Sequence, residues 1–200
     1  MDEKAQVIQK AANKAIKNES ELTSLIETLS GASRRERQSA AQVLAFVAHT
    51  DASVLAPYTR DFVDALNRPE AQTRWECLDV LACLVEIDPK PCDKALAGAE
   101  AALFDEESGP VRLAAMRFLC RLGAVSRARS EKTWPLIDEA IQCYHGDLEF
   151  TDMLIAVAEF AKGTLSSKVK LQLAERMRFD AENGKGALKR RAAAIVASVS

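Results

Sequence analysis

The sequence predicts an all-α fold, a right-handed α–α superhelix (solenoid) built from about five two-helix repeats with an N-terminal capping helix. Three observations lead there. A register of apolar residues recurs five times at intervals of 37, 38, 39 and 39 residues, and a fixed period in this range marks stacked helix pairs. The composition, 48% apolar with only 6% aromatic and rich in Ala, Leu, Glu, Lys and Arg, favours helix over strand. Strand-type alternation of apolar and polar residues is hard to find in any segment.

The N-terminal element comes first. Over residues 2 to 17, Ala5, Ile8, Ala12, Ala15 and Ile16 fall on one helical face, with Lys4, Lys10, Lys14 and Lys17 mostly elsewhere. This reads as an amphipathic cap spanning 1–19, followed by one continuous array over 20–200.

Each repeat then holds two helices. The register is anchored by a marker near the start of the second helix: Arg37, Arg74, Arg112, Thr151 in place of a base, and Arg190. Three residues after the marker stand Ala40, Cys77, Ala115, Leu154 and Ala193, and seven after it Leu44, Leu81, Leu119, Ala158 and Ala197, all apolar. Eleven residues before the marker stand Ile26, Val63, Ala101, Ala140 and Phe179, the apolar slot of the first helix. Repeat one is therefore expected to use 20–30 and 34–48, and repeat two 54–67 and 69–87. Repeats three to five follow over 91–127, 131–162 and 166–199. Pro69 and Pro110 are expected to open second helices, where the missing N–H is no loss, and Pro89 with Pro91 to break the chain between repeats two and three. Gly31, Gly123, Gly146, Gly163 and Gly184 are expected at helix ends, and Gly98 to permit a close approach inside a first helix.

Pro110-Val111-Arg112-Leu113-Ala114-Ala115-Met116-Arg117-Phe118-Leu119 resembles the second helix of a HEAT repeat. Thr73-Arg74-Trp75-Glu76-Cys77-Leu78 and Leu188-Lys189-Arg190-Arg191-Ala192-Ala193 are looser copies. The resemblance to the HEAT (armadillo-type) family covers about residues 20 to 199. It implies recognition of macromolecules rather than an activity, and pairing of the marker base with an acidic residue in the turn before it, with Asp105 or Glu106 serving Arg112.

The same register locates the expected binding surface. Residues one, five and nine after each marker form a stripe pointing away from the core slots. It comprises Gln38, Gln42 and Phe46; Trp75, Asp79 and Cys83; Leu113, Arg117 and Arg121; Asp152, Ala156 and Phe160; and Arg191, Ile195 and Val199. Trp75, Arg117 and Arg121 carry the chemistry of interface anchors, supported by Asp79, Gln42 and Phe160. Ile195 and Val199 would leave an apolar end on the last helix, to be covered by a second copy or a partner protein. The function expected is a non-enzymatic module that binds a protein segment across its concave second-helix face.

Other classes find less support. Formal net charge is only −2, so nucleic acid would need a local basic patch; Arg34, Arg35 and Arg37, Arg121, Arg127 and Arg129, and Lys185, Lys189, Arg190 and Arg191 read better as solvated charge. The alternative from the family resemblance is a DNA-binding protein similar to alkylpurine DNA glycosylases, with Trp75, Asp79 and Arg117 around the lesion. A lyase-like module acting on a small molecule lacks a visible aromatic pocket. No metal or cofactor is expected: His49 and His145 lie in different repeats without zinc-ligand spacing, and no GxSxG, Walker A, GxGxxG or HExxH occurs. The five cysteines, Cys77, Cys83, Cys92, Cys120 and Cys143, contain no CxxC and read as unpaired thiols. The charged N-terminus and the lack of an 18-residue apolar run predict a cytoplasmic protein.

Overall fold

The computed structural model describes residues 3–200, with the Lys4 side chain outside the described set; the sequence readings of Met1 and Asp2 lie outside the described residues. No strand occurs among those residues, and the all-helical, repeat-type expectation holds. The chain folds into two compact units, one ending at Ala102 and one beginning at Leu103.

The first unit opens with α1 (Glu3–Lys17), whose Ala12 and Ala15 are buried. Asn18 ends it and caps α2 (Glu19–Thr28), its side chain accepting from the backbone N–H of Ser20 and Glu21, which satisfies donors that the helix cannot. Ser33 caps α3 (Arg34–Asp51) in the same way. The next first helix is not the single segment expected over 54–67. It divides into a 3-10 stretch, Ala52–Tyr58, and α4 (Thr59–Ala65), and Pro57 inside the first piece lacks the N–H that a continuous α-helix would require. Then come α5 (Ala71–Leu84), α6 (Pro89–Cys92), the 3-10 turn Asp93–Ala95 and α7 (Leu96–Leu103).

Two proline expectations are corrected. Pro69 stands outside α5, with Glu70 as its N-cap. Pro89 and Pro91 do not merely break the chain; Asp88 caps α6 at Lys90 N–H, and Pro89 is its first residue. Within this unit α1 packs on α3 and α3 on α5, while α2 and α4 back onto their own second helices. Gly98 lies where a Cβ would come 2.9 Å from Leu66 Cδ1 and 3.1 Å from its Cβ, so α7 crosses Leu66 closely and a larger residue there would require the leucine to shift.

The second unit contains α8 (Gly109–Ala124), α9 (Arg127–Cys143), α10 (Phe150–Ala161), α11 (Ser167–Asn183) and α12 (Gly186–Val199). Ser108, Ser126 and Ser166 cap α8, α9 and α11. Second helices form one layer, α8 on α10 on α12, and first helices the other, α9 on α11. Gly123 lies at the end of α8, one residue before its last, as expected. It is buried in the last turn, where a Cβ would stand 2.2 Å from Thr133 Oγ1 and 2.8 Å from Phe160 Cε2, so it also serves contact between helices.

Burial corrects the register in the last two repeats. In α3, α5 and α8 the residues three, four, six, seven, ten and eleven after Arg37, Arg74 and Arg112 are all buried. In α10 this pattern holds only when counted from Phe150, giving Met153, Leu154, Ala156, Val157, Phe160 and Ala161. In α12 only half of it is kept, and counted from Lys189: the residues three, six and ten after it, Ala192, Ile195 and Val199, are buried, while Ala193 and Ser200 are exposed and Val196 half-buried. Thr151 and Arg190 are thus each one residue late as markers, and one residue turns a helical position by about 100°. Phe179 is also corrected: expected inside, it is 71% exposed.

Candidate functional site

The marker base has a definite task. Arg37 donates from Nη1 to the carbonyl oxygens of Gly31 and Ala32 at 2.7 and 2.9 Å, tying the preceding turn to its own helix. Its Nε and Nη2 reach the carboxylate of Glu70, which is the N-cap of the following second helix. Arg112 repeats the arrangement: Nη1 donates to Asp105 O at 2.9 Å, while Nε reaches Glu149 Oε1 at 2.7 Å. Lys189 Nζ donates to Glu182 O at 2.8 Å, seven residues back like Arg112 to Asp105. The expected carboxylate partner of Arg112 is corrected accordingly. Asp105 offers its backbone oxygen, its carboxylate being used on the N–H groups of Glu107 and Ser108, and the charge partner is Glu149 of the next repeat. Hydrogen bonding from Arg37 holds the Glu70 carboxyl below its ordinary range, against the upward push of burial. These contacts fix the spacing of second helices, so they position the face those helices present.

In the first unit that face carries Gln38, Gln42 and Phe46 of α3 and Trp75, Asp79 and Cys83 of α5, all half-buried. Between α1, α3 and α5 lies an open groove of about 280 Å³, lined by Ala5, Ile8, Gln42, Ala45, Phe46, His49 and Glu76. Its floor is apolar, with an amide, an imidazole and a carboxylate at the edge, the mixture that ligand grooves commonly show. His49 Nδ1 lies 3.7 Å from Cys83 Sγ. Of the residues the sequence singles out for recognition, Gln42 lines the groove, and Trp75 and Asp79 are on the same helix as Glu76. The groove itself is not legible in the sequence, because α1, which supplies one wall, reads there only as a cap.

In the second unit the face is set by the corrected register. Arg117 and Arg121 are exposed on α8, and Thr151, Ile155 and Glu159 take the outward positions of α10, with Ile155 47% exposed. Phe160, expected on the surface, is fully buried and stacked on Trp134 with ring centroids 6.4 Å apart. Ile195 is fully buried and Val199 is 9% exposed, so they are core residues of this chain and the apolar end expected there is withdrawn. Asp152 is exposed, Ala156 is buried, and Arg191 Nη1 donates to Thr151 O.

Other polar clusters are structural. Arg176 Nε and Nη2 bind Asp138 Oδ1 and Oδ2 at 2.6 and 3.0 Å, and this hydrogen bonding raises the guanidinium pKa further. His145 Nε2 sits 3.1 Å from Asp180 Oδ1. Tyr144 donates to Leu103 O at 2.8 Å beneath the Arg112 guanidinium, and burial raises its phenol pKa. Burial likewise pushes the Cys77 and Cys120 thiols up, which keeps them protonated and unreactive. Among the described residues no group of three His, Cys, Asp or Glu side chains is arranged to hold a metal ion, and no helix is long and apolar enough to cross a membrane.

No family model matches the chain, and no curated protein matches it. Solved structures do. A designed armadillo repeat protein in complex with the peptide (KR)4 is similar with a TM-score of 0.79 at 16% identity, over 98% of this chain and 91% of that one. Another designed armadillo repeat protein gives 0.76 at 16% identity, over 96% and 90%. Computationally designed armadillo repeat proteins for modular peptide recognition give 0.76 at 15% identity, over 98% and 94%. At such identities the likeness concerns the fold: this is an armadillo- or HEAT-like helical repeat.

Proposed function

We propose that this protein is a non-enzymatic recognition module, whose second-helix faces bind an extended segment of another protein. The observation that carries the reading is the groove between α1, α3 and α5. Phe46 and Ile8 offer apolar surface for one anchoring side chain, Gln42 offers an amide able to pair with peptide backbone, and Glu76 favours a basic residue beside that anchor. The designed armadillo repeat protein that holds (KR)4 supports a peptide ligand on this fold. In the second unit, Arg117 and Arg121 beside Ile155 favour a ligand with carboxylates flanking an apolar residue. Trp75 and Asp79 are assigned to the same recognition surface. The reading of residues 1–19 as a cap on a 20–200 array is retained as part of this proposal, with α1 also contributing the groove wall.

Selection of displayed random peptides on the intact chain, followed by calorimetric titration of the enriched sequences, tests the reading. Enrichment of peptides with a basic residue next to an apolar one is expected. Phe46→Asp and Glu76→Lys should each weaken those peptides by about tenfold or more, as truncating an anchor does, with circular dichroism unchanged. Peptides that bind both variants as well as the unmodified chain would refute it.

A further inference from the structure

The outer face of α11 belongs to no site described above. Among its exposed residues are Lys168, Leu171, Gln172, Glu175, Arg178, Phe179 and Glu182, while Val169, Leu173, Met177 and Asp180 point inward. At about 100° per residue these exposed positions fall in one band roughly 120° wide. Leu171 is 68% exposed and Phe179 71%, two large apolar groups on a helix whose neighbours on that face are polar or charged. Their order is self-complementary. When the helix is turned end for end about Glu175, Leu171 meets Phe179 and Lys168 meets Glu182, while Gln172 and Arg178 lie on the two flanks. Along the seam, apolar meets apolar and cation meets anion on either side of the centre.

We propose that α11 is a homodimerisation surface, pairing antiparallel with α11 of a second copy about a two-fold axis at Glu175. A two-fold contact uses one patch twice, so the Lys168–Glu182 ion pair and the Leu171–Phe179 contact each occur twice. Glu175 is the one mismatch, facing its own copy, with Arg178 one turn along the same helix to offset it. One helix pair is small for an interface, below the roughly 1,200 Å² of stable complexes, so the association is weak and concentration-dependent. This surface is separate from the peptide groove and lies on a first helix, so either can fail without the other.

Sedimentation equilibrium of the full chain, up to about 1 mM where contacts of this size populate, should show a monomer–dimer equilibrium. Phe179→Asp should abolish it. Lys168→Glu and Glu182→Lys should each weaken it roughly fivefold to tenfold by opposing like charges at two symmetric positions, and the double variant should restore it, because each swapped residue again faces its opposite. Glu175→Gln should strengthen it. Monomer at every concentration, a double variant no better than the single ones, or association indifferent to all of these changes would overturn the proposal. Circular dichroism on each variant separates loss of pairing from loss of fold.

Discussion

Removing Arg37 should be among the most damaging single changes on the chain. Its side chain is 9% exposed and that of Glu70 2%, so Arg37→Ala leaves a carboxylate in the interior without its counter-charge. Breaking a buried pair from one side costs about 3–5 kcal/mol. The two part-buried hydrogen bonds to Gly31 and Ala32 are lost as well. Replacing both partners, Arg37→Met with Glu70→Met, should recover most of the loss, since an apolar pair needs no desolvation of charge. Arg112→Ala should cost less, about 1–3 kcal/mol, because that pair is 15% and 14% exposed. The Arg37 effect also has a pH signature. Arg37 holds the Glu70 carboxyl below its unfolded value, so the stabilisation is complete above an unfolded carboxyl pKa of about 4.3 and is lost as the pH falls through the lower folded value. Urea titration followed by far-ultraviolet circular dichroism should therefore show the gap between the unmodified chain and Arg37→Ala at its widest near neutrality and narrowing below about pH 4. A loss under about 1 kcal/mol at pH 7, or a gap constant into acid, would refute the assignment of this pair as a buried, charge-compensated link.

Leu81→Ala and Leu119→Ala, both fully buried, should each cost about 2–5 kcal/mol by the same titration, through lost burial and an incompletely closed cavity. Gly123→Ala should cost more than about 1 kcal/mol, because its methyl would overlap Thr133 and Phe160 in contacts of 2.2 and 2.8 Å; a neutral effect would mean that the helices part freely. Ile195→Glu should unfold the last repeat, read as loss of helical signal and of amide protection in α12, since Ile195 is fully buried. Preserved protection would restore it to the surface.

The repeat period, the helix pairing and most of the core are legible in the sequence because small and apolar residues at fixed offsets survive even where the marker changes. The register fails where the marker is ambiguous. In the fourth repeat no base stands at the marker, since α10 lacks the first turn that the other second helices have and begins at the marker position, Phe150. In the fifth, Lys189, Arg190 and Arg191 are three adjacent bases, and only the folded chain shows that Lys189 reaches back to Glu182. A one-residue error then carries Phe160, Ile195 and Val199 from the inside to the outside. The Arg37–Glu70 and Arg112–Glu149 links are hidden for a related reason. Their acids sit at the N-caps of the following second helices, 33 and 37 residues away, and not at one constant register position. Of the expected recognition residues, Gln42, Trp75, Asp79, Arg117 and Arg121 keep outward or half-buried positions, because they fall in repeats where the marker is unambiguous.

Amide hydrogen exchange with and without a selected peptide tests the recognition assignment most directly. The account predicts added protection in α1, α3 and α5, centred on residues around Phe46 and Glu76, with α2, α4 and α11 unchanged, because a segment held on the second-helix face damps the opening of the helices it touches. Protection confined to the first-helix layer, on α2 and α4 or on α9 and α11, would contradict it.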